Sequence, residues 1–215
     1  MNNIFKQALI AVSFLVAAQG ASAAGSAEAG KDKVAVCAAC HGADGNSLAP
    51  NFPKLAGLGE KYLLKQLKDI KSGDRQIAEM TGLLTSSSDQ DLADMAAYFD
   101  SQTMQLSGAK ELTVKVGSGI KVDGLKLGEK IYRAGNTEVG APSCTGCHSP
   151  RGQGNAPAGY PRLSGQHADY IEAQLRKFRA GDRINDGDGQ VMRQVAARLS
   201  DAEIKAVANY ISGLN

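Results

Sequence analysis

Two pentapeptides constrain this 215-residue chain more than anything else in it: Cys37-Ala38-Ala39-Cys40-His41 and Cys144-Thr145-Gly146-Cys147-His148. They use all four cysteines and two of the three histidines. Two thiols three residues apart lie on one side of a helical turn, so both can form thioethers to the vinyl groups of one porphyrin. A His directly after the second Cys then offers its imidazole to the iron. C-x-x-C-H is accordingly the attachment signature of a c-type haem, and two copies imply two covalently bound haem c groups. Other uses of C-x-x-C are thiol–disulfide exchange, half of a zinc site, or structural disulfides in an exported protein. None of these explains why a His follows each pair, and the chain lacks the strand-rich pattern of a thioredoxin-like fold.

The amino terminus fits covalent haem attachment, which follows export. Lys6 precedes an uncharged apolar run, Ala8 to Ala18, and Ala21-Ser22-Ala23 is an A-x-A cleavage site. Residues 1–23 therefore read as a cleavable signal peptide, with the mature chain starting at Ala24. The run is shorter than the ~20 residues of a comfortable membrane span, and no other segment reads as one. Residues 24–215 suit two small domains of about 90 residues each. Aromatic content is 5% and there is no Trp. Helical domains this poor in large apolar side chains need a buried porphyrin to complete a core.

Charge is unevenly spread. Residues 24–100 hold 8 Lys+Arg against 11 Asp+Glu, and residues 101–215 hold 15 against 11. Such a dipole either steers docking with a charged partner or is simply a solvated surface. There is no basic run and no aromatic–basic interleaving, so nothing points to nucleic acid.

The second half repeats the first. Phe52-Pro53-Lys54-Leu55-Ala56-Gly57 matches Tyr160-Pro161-Arg162-Leu163-Ser164-Gly165, and Tyr62-Leu63-Leu64-Lys65-Gln66-Leu67 matches Tyr170-Ile171-Glu172-Ala173-Gln174-Leu175. Ser72-Gly73-Asp74-Arg75 matches Ala180-Gly181-Asp182-Arg183. Two long copies mean a duplicated domain rather than a solenoid. Each copy reads as helical. Leu63, Leu67 and Ile70 recur with helical spacing, as do Ile171, Leu175 and Phe178. Gly73 and Gly181 stand where glycines end helices. Ser200-x-x-Glu203 opens the last helix of the second copy as a capping box and Ser88-x-x-Asp91 that of the first as a weaker version, followed by the stripes Leu92, Met95, Phe99 and Ile204, Val207, Ile211. The fold class is therefore all-α, with domains at 24–106 and 128–215. The Gly- and Lys-rich stretch 107–127 reads as the linker, and a strand-like Leu112-Thr113-Val114 within it carries little weight.

Register also identifies a sixth ligand for each iron. Met80 lies nine residues before Asp89, and Met192 nine before Asp201. Met95 falls in an apolar helix stripe, and Met104 lies beyond the final helix. Matched methionines after each haem motif read as axial ligands, since His/Met is a known ligation of cytochromes c. His167 aligns with Gly59, where no ligand exists, and reads as a surface residue at a helix start. Six filled coordination positions leave one-electron transfer as the chemistry, with no small-molecule substrate and no catalytic residues. Pro53 and Pro161 rigidify turns, and a nearby carbonyl should accept each proximal imidazole N–H. Arg75 and Arg183 read equally well as partners for haem propionates or as solvated cations.

Taken together, the signal segment, the C-x-x-C-H motifs, the P-x-L-x-G turns, Y-[LI]-x-x-Q-L, the Gly-Asp-Arg helix ends and the register methionines resemble the cytochrome c4 family over essentially the whole mature chain. The resemblance implies two class I cytochrome c domains related by a pseudo-twofold axis, with haem edges facing across the interface. It implies Cys37 and Cys40 on one haem with His41 and Met80 axial, and Cys144 and Cys147 on the other with His148 and Met192. It further implies a periplasmic location, peripheral association with the inner membrane, and redox-protein donors and acceptors leading to a membrane terminal oxidase. The copies differ around Asn136 to Pro142 and at Asp186-Gly187-Asp188-Gly189. The latter faintly resembles a calcium loop but lacks its spacing and terminal Glu, so it reads as a flexible loop. Such differences predict unequal haem potentials. The alternative is a di-haem electron-accepting subunit of an exported dehydrogenase, of flavocytochrome type. A di-haem peroxidase would need an iron that sheds its sixth ligand.

Overall fold

The computed structural model describes residues 24–215, so the signal-peptide reading of residues 1–23 lies outside the described residues. The first half runs through α1 (Ala27–Lys31), α2 (Ala38–His41), α3 (Glu60–Ser72) and α4 (Asp89–Asp100). A hairpin of β1 (Thr113–Val116) and β2 (Ile120–Asp123) follows. The second half has α5 (Gly124–Ala134), α6 (Thr145–His148), α7 (Ala168–Ala180), α8 (Val191–Ala196) and α9 (Asp201–Ser212). No helix among the described residues is long and apolar enough to cross a membrane.

Local chemistry explains the boundaries. Ser88 Oγ accepts from Asp91 N (3.1 Å), while Asp91 returns a bond from Ser88 N (2.8 Å). Ser200 and Glu203 repeat this at the start of α9. Each box satisfies two amides that helix geometry leaves without partners, and its loss costs about 1 kcal/mol. Gly73 and Gly181 end α3 and α7 with φ of 90° and 80°, a left-handed turn that costs glycine nothing.

Each half builds its own core. Leu92, Met95 and Phe99 on α4 are buried with Val34, Leu58, Leu84 and Met104. On α9, Ile204, Val207 and Ile211 are at most 2% exposed and pack with Ile131, Tyr132 and Leu199. The terminal helices cross, α1 on α4 and α5 on α9, and both crossings are built around a glycine. A Cβ on Gly30 would overlap the Asp94 carbonyl oxygen and lie 2.8 Å from Tyr98 Cβ. A Cβ on Gly128 would overlap the Ala206 carbonyl oxygen and lie 2.7 Å from Tyr210 Cβ. Asp94 and Tyr98 match Ala206 and Tyr210 in the repeat, so the duplication preserved a close backbone approach that the pentapeptides do not announce.

Three expectations change in detail. The stretch 107–127 is not plain linker: it folds into the hairpin, with Val114 buried and β1 against α9. Leu112 O accepts from Gly124 N (2.7 Å), and Asp123 caps α5. Alternation favours a strand only when one face has something to bury against, and α9 provides it. The Asp186–Gly189 loop is pinned at its start, where Asp186, nearly buried, pairs with Arg193 Nε at 2.7 Å and accepts from its backbone N. His167 is not a free surface residue either, as its contacts below show.

Lys33 ties α1 to α4, bonding Asp91 and Asp94 at 2.6 Å each. Its ammonium, with Ser26 N and Gln90 adding to the effect at Asp94, holds that carboxyl at about 2, and Asp91 is also depressed. A carboxylate depressed in the folded state stabilises it above its unfolded pKa, near 3.8, and that contribution is lost as pH falls through the folded value. Thermal unfolding should therefore lose part of its midpoint between about pH 4 and pH 2. Lys33→Met should flatten that acid limb, and an unchanged limb would show that this triad does not set it.

Candidate haem sites

In both pentapeptides the first Cys is the N-cap and the His the last residue of a one-turn helix. That turn puts the two thiols and the imidazole of each half on one continuous cavity of about 1000 Å³. Leu63, Leu67 and Ile70 of α3, and Ile171, Leu175 and Phe178 of α7, also line it. The helical stripes expected on α3 and α7 thus serve the cavity, whereas those on α4 and α9 mainly serve the protein core.

His41 Nδ1 donates to Pro53 O (2.8 Å) and His148 Nδ1 to Pro161 O (3.0 Å). A carbonyl can only accept, so the proton sits on Nδ1 and Nε2 keeps its lone pair. Burial holds both imidazoles below their usual pKa, outweighing the opposing pull of the carbonyls. Each is therefore a neutral, oriented donor to a metal.

The thiols argue against redox exchange. Burial pushes Cys37 above its usual value and Cys144 to about 12. Exchange motifs need the reverse, a stabilised thiolate. No two of the four cysteines are joined in a disulfide, and no three Cys, His, Asp or Glu side chains converge on a metal site among the described residues. Two separate thiol pairs, each with its own neutral imidazole on an apolar cavity, fit porphyrin attachment.

Met80 closes a 3-10 turn (Ala78–Met80) and Met192 lies in α8. Both are partly buried and line the cavity. Met95 and Met104 are core residues, 7% and 5% exposed. His167 caps α7, opposite Gly59 at the start of α3, as the repeat implied. Its Nε2 donates to Ser47 O of the first half (2.8 Å), and Nδ1 accepts from Ser107 Oγ (3.0 Å). With both ring nitrogens engaged it ties the halves together and is no ligand.

Between the two pentapeptides lies a polar cluster that sequence reasoning missed in part. Arg75 donates to Gln66 (2.8 Å) and, across the halves, to Tyr170 (2.9 Å) and Gln174 (3.3 Å). Arg183 donates to Gln174 (2.8 Å) and, in the other direction, to Gln66 (3.0 Å) and Tyr62 (3.3 Å). Burial alone would raise the Tyr62 phenol, but Arg183 and Arg75 beside it win and hold it below its usual value. Neither arginine is a solvated cation. The signal was present in the repeat, since Tyr, Gln and Arg each recur 108 residues on, but nothing in the sequence showed that the two sets interlock. Gln166 adds a second crossing, exchanging two bonds with the Lys54 backbone at 2.9 and 2.8 Å.

Comparison with known proteins agrees with this geometry. The family described as Cytochrome c matches twice, at residues 27–103 and 125–215. Cytochrome c4 of Pseudomonas aeruginosa is 56% identical over 195 residues, covering 91% of this chain and 92% of that protein. The crystal structure of reduced recombinant cytochrome c4 from Pseudomonas stutzeri superposes with a TM-score of 0.82 at 54% identity, covering 89% of this chain and all of that one. A protein of Stutzerimonas stutzeri named Thiosulfate dehydrogenase electron acceptor is 36% identical, covering 83% of this chain and 78% of that protein. Two matched domains, each with a C-x-x-C-H turn, carry two covalently bound haem c groups. This is a di-haem electron-transfer protein and not an enzyme, and the chain belongs to the cytochrome c4 family.

Proposed function

We propose that this chain is a periplasmic electron shuttle, taking electrons from quinol-oxidising complexes and delivering them toward a membrane terminal oxidase. In this reading Cys37 and Cys40 hold the first haem, with His41 and Met80 as axial ligands. Cys144 and Cys147 hold the second, with His148 and Met192. The domains span 24–106 and 128–215, joined by 107–127, the end of which overlaps the start of α5 at Gly124. Export through residues 1–23 delivers the chain to the compartment where such haems are attached.

One observation carries the assignment. Each half pairs a neutral imidazole, tied through Nδ1 to a proline carbonyl, with a methionine on the same cavity. When bound, each haem supplies a one-electron iron couple, its potential raised by thioether ligation. The rest is done by the chain. The proline carbonyls fix the imidazole planes, and the methionine sulfurs fill the position a substrate would need. The leucine and isoleucine stripes keep water from the cavity, and the two halves share one wall so that both sites meet.

The relative named as the electron acceptor of thiosulfate dehydrogenase favours a second reading, a di-haem subunit fixed to an exported dehydrogenase. Purification of the native protein separates the two. A shuttle should purify alone, and when reduced should be reoxidised in air by oxidase-containing membranes in a cyanide-sensitive way. Recovery in fixed ratio with a larger dehydrogenase, together with no oxidation by the membranes, would overturn the shuttle.

A further inference from the structure

Met80 and Met192 occupy matched places in the repeat, yet the chain holds them differently. Met192 lies nine residues after Arg183, whereas Met80 lies five after Arg75. The longer segment brings in a carboxylate. Asp186, its side chain only 3% exposed, accepts from Arg193 Nε at 2.7 Å and from Arg193 N at 2.9 Å. Arg193 directly follows Met192, and its amide is one that the first turn of α8 leaves without a helical partner. Asp186 therefore acts as the cap, reaching past Gln190, which makes no side-chain cap bond of its own. Arg193 Nη2 also donates to Ile184 O (3.3 Å), and Gln194 Nε2 to Gly189 O (3.0 Å). One buried carboxylate thus fixes both the backbone and the side chain next to Met192.

The backbone at this point is strained. Gln190, two residues before Met192, has φ of 48° and ψ of 35°, a left-handed conformation uncommon outside glycine. Among the described residues the other non-glycine with positive φ is Ser149, directly after His148, where the first half has Gly42. Such conformations persist only where the surroundings over-determine them. Met80 is held by local bonds instead. Its amide donates to Ile77 O (3.0 Å), Thr81 N donates to Ala78 O (3.2 Å) and Thr81 Oγ1 to Ile77 O (3.3 Å). No charged side chain bonds residues 77–82 among the described residues.

We propose that Asp186 is a positioning residue of the second haem site, clamping Arg193 so that Met192 resists displacement by an outside ligand far better than Met80 does. The proposal rests on the axial ligands assigned above. An incoming ligand reaches a six-coordinate iron only after the thioether leaves, so the segment carrying it must move. At Met192 that movement breaks a buried ion pair and strands a carboxylate in low dielectric. At Met80 it opens a short 3-10 turn. Groups that orient a metal ligand typically account for about 10–100-fold in its hold on the metal. The two irons, alike in ligand type, therefore differ in how firmly they are closed.

The test is titration of the oxidised holoprotein with imidazole, followed by the sulfur-to-iron charge-transfer band that reports an intact Met–iron bond. In Met192→Ala only the first haem gives this band, and in Met80→Ala only the second. Half-loss of the band should need about tenfold more imidazole, or beyond, in Met80→Ala than in Met192→Ala. Adding Asp186→Asn to Met80→Ala should lower that concentration by about tenfold or more, while adding it to Met192→Ala should leave the first haem's value where it was. Arg193→Gln, at a side chain 24% exposed, is a gentler second variant that should act in the same direction as Asp186→Asn. Equal resistance at the two haems overturns the clamp. So does an Asp186→Asn or Arg193→Gln protein that holds two haems and resists imidazole at the second as before. A full band in both Met80→Ala and Met192→Ala would instead overturn the ligand assignment beneath it.

Discussion

Reduced Met80→Ala and Met192→Ala proteins should each bind carbon monoxide at one haem, and the double variant at both, whereas the unsubstituted protein should ignore it. An iron held by His and Met has no open position, and removing the thioether opens one. The effect is all-or-none per haem, and it comes at small structural cost. Both methionines are only partly buried and sit in short elements, a 3-10 turn and the six-residue α8. Met95→Leu is the control: Met95 is buried in the α4 stripe, so the substitution repacks core at a cost below about 1.5 kcal/mol and should open no iron. Loss of the thioether should also lower the potential of the affected haem, since this ligand favours the ferrous state. Visible spectra of the dithionite-reduced proteins, before and after carbon monoxide, decide the matter. If neither alanine variant responds, the ligand assignment is wrong.

Gly128→Val should unfold the second half of the molecule well below the first. The added Cβ would sit inside the Ala206 carbonyl and 2.7 Å from Tyr210 Cβ. Backbone cannot rotate away as a side-chain tip can, so α5 and α9 must separate. Overpacking of this kind costs about 3 kcal/mol or more, roughly 15 °C of melting temperature for a domain of this size. Gly30→Val should do the same to the first half, where α1 meets α4. Gly146→Ala gives the contrast. It lies inside the second pentapeptide with nothing within 4 Å of its added Cβ, and the first pentapeptide already has Ala39 there. That variant should melt within about 1 kcal/mol of the parent. Calorimetry of the three holoproteins checks the ranking. A Gly128→Val protein that melts like the parent would mean that the helices do not approach this closely.

Much of the site was legible because its chemistry is local. The three residues proposed to carry the covalent attachment and the first iron ligand share one helical turn, so C-x-x-C-H can be read without a fold. The methionines proposed as sixth ligands were singled out for a different reason. Duplication supplies an internal comparison, and an equal nine-residue spacing to a capping box picks Met80 and Met192 from five methionines. Periodicity placed α3, α4, α7 and α9, since their apolar stripes and terminal glycines are properties of single helices. Proline carbonyls as acceptors for the histidines were foreseeable too, because the turn that carries them follows each pentapeptide at nearly the same distance.

What stayed hidden depends on residues far apart in the chain, from Gly30 and Asp94 to Ser47 and His167. In isolation His167 is an exposed helix cap; only the docked first half supplies Ser47 O and turns it into a bridge. Arg75 and Arg183 were equally consistent with solvent, because burial is a property of the interface and not of the Gly-Asp-Arg motif. Val114 becomes a buried strand residue only because α9 offers it a surface, and Gly30 and Gly128 look like weak points in helices until their partners arrive. The amino-acid sequence by itself determined two covalent haem sites in a duplicated helical domain, and supplied the histidines and matched methionines proposed as their iron ligands. Tertiary structure alone decided how the duplicates face each other, with two arginines, two glutamines and two tyrosines interleaved across one cavity. The division follows from range: covalent and helical patterns are written within a few residues, whereas the field between two sites depends on side chains that meet only when both halves have folded and docked.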